Sequence, residues 1–231
     1  QDIKNRNTLE CMPSGDEDFK FIESPDRLIK DYISEVCNAA LNKGISIEDF
    51  QVLIPMYKGE NGIDSINALM QSIFNPSSGK KAEIVIRDVV YRVGDKVIQL
   101  VNDVDNNISN GDVGYIKKIY DSMVEIDYNG NTVLYKKGKF DEFTHAYAIS
   151  VHKSQGSEYD HVLIVVPSSM KRMLYNKLIY TAVTRAKKSL IIIGGLESIN
   201  YAIEKDYSEN RLTSLKVFSD KCSIKALLTV Q

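Results

Sequence analysis

Residues 146–160 read AYAISVHKSQGSEYD, and residues 178–187 read LIYTAVTRAK. The first stretch begins as an apolar strand, becomes a polar loop around Gly156, and leads to a second apolar run at residues 162–166. Because the loop follows a strand, we expect it at the carboxyl end of an α/β sheet, where such sheets bind ligands. Its side chains offer hydrogen-bond donors, a cation and a carboxylate, and belong to His152, Lys153, Ser154, Gln155, Ser157 and Glu158. This composition favours a polar, anionic ligand, although surface loops are also polar for solvation alone.

The second stretch predicts a helix whose apolar side carries an arginine. Leu174, Leu178, Thr181 and Arg185 follow the spacing of a single helix face. An inward arginine needs an anionic partner, because an unpaired buried charge is costly. Alternatively, Arg185 is exposed in the last turn of its helix, where the helix dipole favours a cation. Periodicity alone does not separate these two interpretations.

Together these stretches resemble motifs of the superfamily 1 helicases. HKSQGSEYD is similar to motif V, and YTAVTRAK is similar to motif VI, most closely in the RecD-like group that includes the exodeoxyribonuclease V alpha subunit. Residues 52–76, VLIPMYKGENGIDSINALMQSIFNP, resemble the motif IV region. The resemblance implies a RecA-like parallel-sheet domain of the P-loop NTPase type, the second motor domain, without a P-loop of its own. It also implies 5′ to 3′ movement on DNA and a role in DNA recombination and repair.

The resemblance implies a nucleotide site built from four residues. Arg185 would be the catalytic arginine finger that reaches the γ-phosphate, and Glu158 would accept a hydrogen bond from the ribose. Gly156 would let the backbone come close to the nucleotide. Lys58 would also contact the nucleotide, although relatives commonly have arginine there and lysine lacks the bidentate fork.

The same loop would also contact DNA. By resemblance, His152, Lys153 and Ser154 would lie toward the single strand, and Gln155 would couple the strand to the nucleotide. A lone histidine near a strand end also serves often as a hydrogen-bonded structural residue. One loop that touches both ligands would let domain closure change the grip on the strand.

The sequence contains no G-x-x-x-x-G-K-[ST] phosphate-binding loop. A superfamily 1 motor holds ATP between two RecA-like domains, so we expect ATP and Mg²⁺ to be bound mainly by an N-terminal RecA-like domain of the same protein. This chain alone is then expected to be inactive in ATP hydrolysis. Since it starts at Gln1 rather than methionine, we expect a fragment or a processed product. The expected partners are single-stranded DNA, that N-terminal domain and other exodeoxyribonuclease V subunits, without a membrane.

The pattern changes at residues 83–144, where short β-rich runs replace the α/β pattern. We predict strands at residues 84–86, 97–101, 114–119, 123–128 and 132–135, separated by turn signals such as Asn129-Gly130. These strands suggest a small inserted β-barrel, which resembles domain 2B of RecD-like helicases. Residues 1–82 and 145–231 would then form the RecA-like helicase domain 2A, the UvrD-like C-terminal domain.

The two flanking parts are expected to alternate strands and helices. We predict a short strand at residues 19–23, buried strands at residues 52–54, 162–166 and 190–193, and helices near residues 25–43, 66–73 and 197–205. Ser24 and Pro25 would start the first helix as cap and first residue, and Gly44 would end it. Residues 210–215 resemble the closing segment of the family, and residues 216–231 resemble nothing recognisable.

Composition is that of an ordinary soluble globular protein, with 43% hydrophobic and 26% charged residues. The absence of a long apolar run or signal peptide predicts a cytoplasmic protein. The net charge of −2 argues against a surface coated in positive charge, but not against a local basic groove. Cys11, Cys37 and Cys222 are far apart and odd in number, so neither a disulfide framework nor a metal site is indicated.

Two other functions remain open at this stage. The chain could be a non-catalytic nucleic-acid-binding module built on a degenerate helicase domain. It could instead be a partner-docking module of a recombination complex.

Overall fold

The computed structural model of the chain describes residues 18–55 and 58–205. The expectations for residues 1–17 and 206–231 lie outside the described part. The strands, in chain order, are β1 (Phe19–Glu23), β2 (Phe50–Ile54), β3 (Glu83–Ile86), β4 (Val89–Arg92), β5 (Lys96–Gln99), β6 (Val113–Tyr120), β7 (Met123–Tyr128), β8 (Asn131–Lys136), β9 (Phe143–His145), β10 (Ala148–Ser150), β11 (Tyr159–Val166) and β12 (Ala186–Gly194). The helices are α1 (Ile29–Asn42), α2 (Ile63–Phe74), α3 (Asn176–Val183) and α4 (Leu196–Glu204). Short 3-10 turns lie at Asp26–Leu28, Lys137–Lys139 and Ser168–Met173.

A five-stranded parallel sheet organises the chain, with the strand order β1-β12-β11-β2-β10. Along β11, Val162 and Ile164 pack toward α3 and α4, whereas Leu163 and Val165 pack toward α1 and α2. Both faces of the sheet are therefore covered by helices, as expected for parallel strands. The predicted α/β class with a parallel sheet is confirmed. The strands β2, β11 and β12 begin earlier than the predicted apolar runs.

The segment between β2 and β10 contains two antiparallel sheets around a common core. One is the hairpin β3-β4, and the other is a five-stranded sheet with the order β8-β7-β6-β5-β9. Ile86 and Tyr91 of the hairpin pack with core residues of the larger sheet such as Val97 and Ile126. All these strands fall between Glu83 and His145. The five predicted strands are present, but β4 and β9 were not predicted.

The turn between β3 and β4 explains why β4 was missed. Arg87 and Asp88 have φ values of 48° and 66°, so both central residues are left-handed, as in the tight turns of hairpins. Asparagine and glycine are the usual residues at these turn positions. This turn contains neither, so it lacks the Asn-Gly signal that marks the turn between β7 and β8. The strand β9 spans only Phe143–His145, too short for a clear alternation.

The start of α1 differs from the prediction. Ser24 does not cap the helix, because its hydroxyl donates to the Pro25 carbonyl oxygen at 3.0 Å. Pro25 is extended and precedes a 3-10 turn rather than occupying the first helical position. Gly44 has a φ of +74° and ends α1 as predicted. Cys37 on α1 is a buried free thiol. None of the described helices is long and apolar enough to span a membrane.

A buried carboxylate joins the two kinds of sheet. Asp95, directly before β5, has no exposed surface. Its two oxygens meet five hydrogen-bonding groups: Gln71 Nε2 (2.7 Å), Asn75 Nδ2 (2.6 Å), the Arg92 amide nitrogen (2.7 Å), His145 Nε2 (2.9 Å) and the Tyr147 hydroxyl (2.9 Å). These groups come from the end of α2, from β4, from β9 and from the entry to β10. Asp95 therefore ties a helix of the parallel sheet to both antiparallel sheets.

Candidate functional site

The polar loop of residues 151–158 runs from the carboxyl ends of the parallel strands to their amino ends. We call these two sides of the sheet the carboxyl edge and the amino edge. It leaves β10 after Ser150, which pairs with Ile54 at the carboxyl end of β2. It enters β11 at Tyr159, which pairs with Ala186 at the amino end of β12. Since Ile164 pairs with Leu53, these two levels are about six residues apart on β11, or about 20 Å. The expected position at the carboxyl end is therefore correct only for the start of the loop.

Internal hydrogen bonds shape this loop. The Ser154 side chain is fully buried, and its hydroxyl donates to the Val151 carbonyl oxygen at 2.8 Å. Gly156 has a φ of +87°, which L-residues with a side chain rarely adopt, and an added Cβ would meet no atom within 4 Å. Glycine is thus required for backbone conformation rather than for close packing within the chain. The Ser154 side chain does not reach the surface, and the place of this residue on the DNA side of the loop stays a prediction.

The Arg185 guanidinium joins the end of α3 to the loop. The helix α3 ends at Val183 with Thr184 as its C-cap, so Arg185 lies in the turn before β12 and not on the predicted helical stripe. Its Nε donates to the Thr181 carbonyl oxygen at 3.1 Å, and its Nη1 donates to the Ser157 carbonyl oxygen at 3.0 Å. Its Nη2 donates to the Thr184 hydroxyl at 3.1 Å. Arg185 is thus half-buried and caps α3.

No carboxylate neutralises Arg185 within residues 18–55 and 58–205. A guanidinium also has more N–H donors than these three contacts use. Glu158 is exposed at the same edge, and its Oε2 lies 3.7 Å from Lys187 Nζ. Tyr159 links this edge further, because its amide donates to the Arg185 carbonyl oxygen at 2.9 Å. A cation with spare donors therefore lies close in the fold to an exposed carboxylate.

Lys58 lies at the opposite edge of the sheet. It is exposed in the loop that follows the carboxyl end of β2. In the same loop, Asn61 Nδ2 donates to the Asp26 carbonyl oxygen at 2.9 Å, beyond the carboxyl end of β1. Arg185 and Glu158 are at the amino edge, about 20 Å away along the strands. Lys58 therefore lies at the opposite end of the strands from Arg185 and Glu158, and its contact with the nucleotide stays a prediction.

A groove of about 670 Å³ separates the loop from α3. On the loop side it is lined by His152 and Gln155, and on the other side by Arg172, Tyr175 and Lys177. His152 Nε2 lies 3.4 Å from the Tyr175 hydroxyl. We call this the loop–helix groove. It brings together two of the residues predicted to face DNA or to couple to it.

Sequence reasoning missed the cations of this groove. Arg172 and Lys177 are exposed on its helix side, outside the two blocks that carry the motifs. Both cations lie at or shortly before the start of α3 in the sequence, but nothing in the sequence shows that they face His152. Only the fold places them there. Lys153 does not line the groove. It is half-buried, and burial lowers the pKa of its ammonium.

Two family models match separate parts of the chain. Residues 145–193 match the UvrD-like helicase C-terminal domain, and residues 66–131 match the SH3 domain of ATP-dependent RecD-like DNA helicases. The first match covers β10, β11, α3 and most of β12, and the second covers most of the antiparallel segment. The chain is also 36% identical to the ATP-dependent RecD2 DNA helicase of Deinococcus radiodurans over 165 residues, which is 71% of this chain.

The chain resembles the RecD-like helicases along most of its length. The predicted superfamily 1 relationship, RecA-like fold and small β-rich insertion are thereby confirmed. The chain is also 28% identical to the RecBCD enzyme subunit RecD of Mycolicibacterium smegmatis over 69% of its length. It spans 22% and 28% of the lengths of these two relatives. The Pif1 helicase from Bacteroides in complex with ADP-AlF3 and ssDNA aligns with 85% of this chain and 54% of its own, at a TM-score of 0.49 and 16% identity.

We expect Gly156→Ala to lower the free energy of unfolding by about 1 kcal/mol, because the new side chain must adopt a left-handed conformation. Gly138→Ala is the matched control. An added Cβ at Gly138 would also meet nothing within 4 Å, but its φ is not positive. Urea unfolding of both variants checks the prediction. Equal changes in the two variants would show that the Gly156 conformation is not required.

Proposed function

We propose that this chain is the C-terminal motor part of an ATP-dependent 5′ to 3′ DNA helicase of the RecD type. In this proposal, residues 83–144 form the inserted 2B domain, and the parallel sheet forms domain 2A. The relatives named as helicases and the match to the UvrD-like domain support the class of activity. ATP hydrolysis belongs to the full-length protein, in which an N-terminal RecA-like domain holds most of the nucleotide and Mg²⁺. Further subunits of an exodeoxyribonuclease V complex are proposed as partners, in line with the RecD relatives.

The observation that carries this proposal is the environment of Arg185. Its guanidinium is held by the Ser157 and Thr181 carbonyl oxygens and has no carboxylate partner among the described residues. A cation held in this way suits an anionic group that arrives from outside the chain. ATP would supply that group at the interface with the first motor domain. Arg185 would provide positive charge to the γ-phosphate, and Glu158 would accept a hydrogen bond from the ribose.

The loop–helix groove is the proposed strand side of the same loop. His152 and Gln155 line it from the loop, and Arg172 and Lys177 add two exposed cations. Cations that line a groove can neutralise the phosphates of a DNA strand even when the net charge of the protein chain is negative. Tyr175 offers a ring on which a base can stack. The loop of residues 151–158 would then join the strand side to the nucleotide side.

Unwinding assays with the full-length protein test this proposal. We expect ATP hydrolysis to be stimulated by single-stranded DNA, and duplexes with a 5′ tail to be unwound in preference to duplexes with a 3′ tail. A protein that binds DNA without DNA-stimulated hydrolysis would instead fit the non-catalytic module. Stable co-purification with a partner, without binding of DNA or nucleotide, would fit the docking module.

We expect the double variant Arg172→Gln, Lys177→Gln to bind single-stranded DNA about tenfold more weakly at moderate salt. The slope of log K against log salt should fall by about 1.4, or about 0.7 for each lost phosphate contact. Fluorescence anisotropy titrations at several salt concentrations measure both quantities. The control Lys20→Gln, Lys43→Gln removes two exposed lysines from β1 and from the end of α1, so it has the same charge change. If the control loses the same affinity for single-stranded DNA, the effect depends on total charge and not on the groove.

A further inference from the structure

Lys96 lies buried between the antiparallel and the parallel sheet. It is the first residue of β5, and only 1% of its surface is exposed. Its Nζ donates to the Ile47 carbonyl oxygen at 2.9 Å and to the Phe50 carbonyl oxygen at 3.1 Å. Both acceptors belong to the segment that enters β2 at the amino edge. A buried ammonium depends on such acceptors, because leaving it without them is costly.

The same ammonium faces the residue that ends the polar loop. Lys96 Nζ lies 5.7 Å from the centroid of the Tyr159 ring, within the range of a cation–π contact. The Tyr159 amide donates to the Arg185 carbonyl oxygen at 2.9 Å, and Arg185 Nη1 donates to the Ser157 carbonyl oxygen at 3.0 Å. Two consecutive contacts therefore connect Lys96 with the Arg185 backbone.

We propose that Lys96 is a positioning residue for Arg185, through which the antiparallel insertion holds the amino edge of the motor sheet in its working geometry. The proposal rests on the nucleotide role proposed for Arg185. The ammonium fixes the ring of Tyr159 against the amino edge, and this fixes the backbone on both sides of the guanidinium. Small displacements of a positioned catalytic group lower turnover strongly. Lys96 touches neither nucleotide nor strand in this arrangement.

The surroundings of Lys96 are acidic and aromatic. A cavity of about 510 Å³ opens beside it, lined by Glu48, Asp112, Asp127, Glu158 and the rings of Tyr115 and Tyr159. Burial lowers the pKa of Lys96 to about 7, although Glu48 and Asp49 act to raise it. The ammonium therefore loses its proton as the pH rises through about 7. A deprotonated Lys96 would keep hydrogen bonding but lose its attraction to the Tyr159 ring.

Lys96→Met in the full-length protein tests the proposal. We expect the kcat of DNA-stimulated ATP hydrolysis to fall about tenfold, with KM for ATP and the Kd for single-stranded DNA within about twofold of wild type. The control Lys20→Met changes an exposed lysine of β1 and should leave kcat unchanged. A kcat within about twofold of wild type overturns the proposal. A Kd that weakens by the same factor as kcat also overturns it, since the effect would then be a general loss of structure.

The pH dependence gives a second test that does not require Lys96→Met to fold. Wild-type kcat should fall between about pH 6 and pH 8 as the ammonium deprotonates, and Lys96→Arg should fall less, because a guanidinium stays charged. A wild-type kcat that does not fall over this range overturns the proposal. So do superimposable profiles of wild type and Lys96→Arg.

The same measurements separate this proposal from the proposed function. If the wild type shows no DNA-stimulated hydrolysis, the helicase assignment itself fails. If Arg185→Ala equals the wild type, the nucleotide role proposed for Arg185 fails. If Arg185→Ala is inactive while Lys96→Met equals the wild type, only the positioning role of Lys96 fails.

Discussion

Arg185→Ala in the full-length protein is expected to lower DNA-stimulated ATP hydrolysis by a factor of about 10³ or more, as arginine fingers do elsewhere. The physical reason is that alanine removes the cation which Ser157 and Thr181 hold at the amino edge. Binding of single-stranded DNA should remain within about threefold of wild type, because the loop–helix groove keeps its own cations. Steady-state hydrolysis and anisotropy titrations measure the two effects.

Arg185 also caps α3, so its structural role needs a control. Loss of the contact to the Thr181 carbonyl oxygen should lower the free energy of unfolding by only about 1 kcal/mol. Thermal unfolding of Arg185→Ala therefore separates a local loss from a global one. Lys188→Ala removes an exposed cation of the same edge, which is paired with Asp160 at 2.6 Å, and should retain hydrolysis. Normal turnover by Arg185→Ala would remove the main support for the proposed nucleotide site.

Asp95→Ala is expected to lower the free energy of unfolding by about 3–5 kcal/mol. The substitution removes one carboxylate. Several buried hydrogen-bonding groups of α2, β4 and β9 then have no partner. Buried donors without acceptors keep their full desolvation cost. Urea unfolding of the chain at neutral pH measures the loss. The control Asp121→Ala lies in an exposed turn and should change stability by less than about 0.5 kcal/mol.

The stability difference between wild type and Asp95→Ala should shrink in acid. Burial acts to raise the pKa of Asp95, but the hydrogen bond and the charge of His145, with the Arg92 amide and Asn75, outweigh burial and lower this pKa below 3.8. A carboxylate with a lowered folded pKa stabilises the fold above its unfolded pKa and loses this contribution as pH falls through the folded value. The difference should therefore be complete near pH 7 and diminish only below about pH 3.8. A constant difference down to pH 2.5 would show that ionisation of Asp95 is unimportant.

Much of the architecture was predictable because it depends on local patterns. Apolar runs such as residues 162–166 identify buried strands without knowledge of their partners, and spaced apolar residues such as Ile66 and Met70 identify α2. The two motif blocks identify the family, because their residues lie close together in the sequence. Predictions were wrong where local signals were absent, as in the turn at Arg87 and Asp88, or ambiguous, as at Ser24.

The positions of the site residues relative to one another could not be predicted from local sequence patterns. The family resemblance grouped Lys58, Glu158 and Arg185 around one nucleotide, with Glu158 at the ribose. Strand pairing places Lys58 at one end of the strands and Glu158 and Arg185 at the other: Ser150 pairs with Ile54, so the polar loop must cross the sheet before it reaches Glu158. Ser150 and Ile54 are about a hundred positions apart, and no local pattern specifies their pairing.

By itself, the amino-acid sequence determined the α/β class, the β-rich insertion, the family and the list of chemically capable residues. Each of these follows from the hydrophobic spacing or residue order of a short segment. Only the tertiary structure decided that Arg185 lies with Glu158 at the amino edge, that Arg172 and Lys177 face His152, and that Asp95 and Lys96 join the sheets. The reason is that charge pairing and burial depend on distances in space, which arise when strands far apart in the sequence pack together.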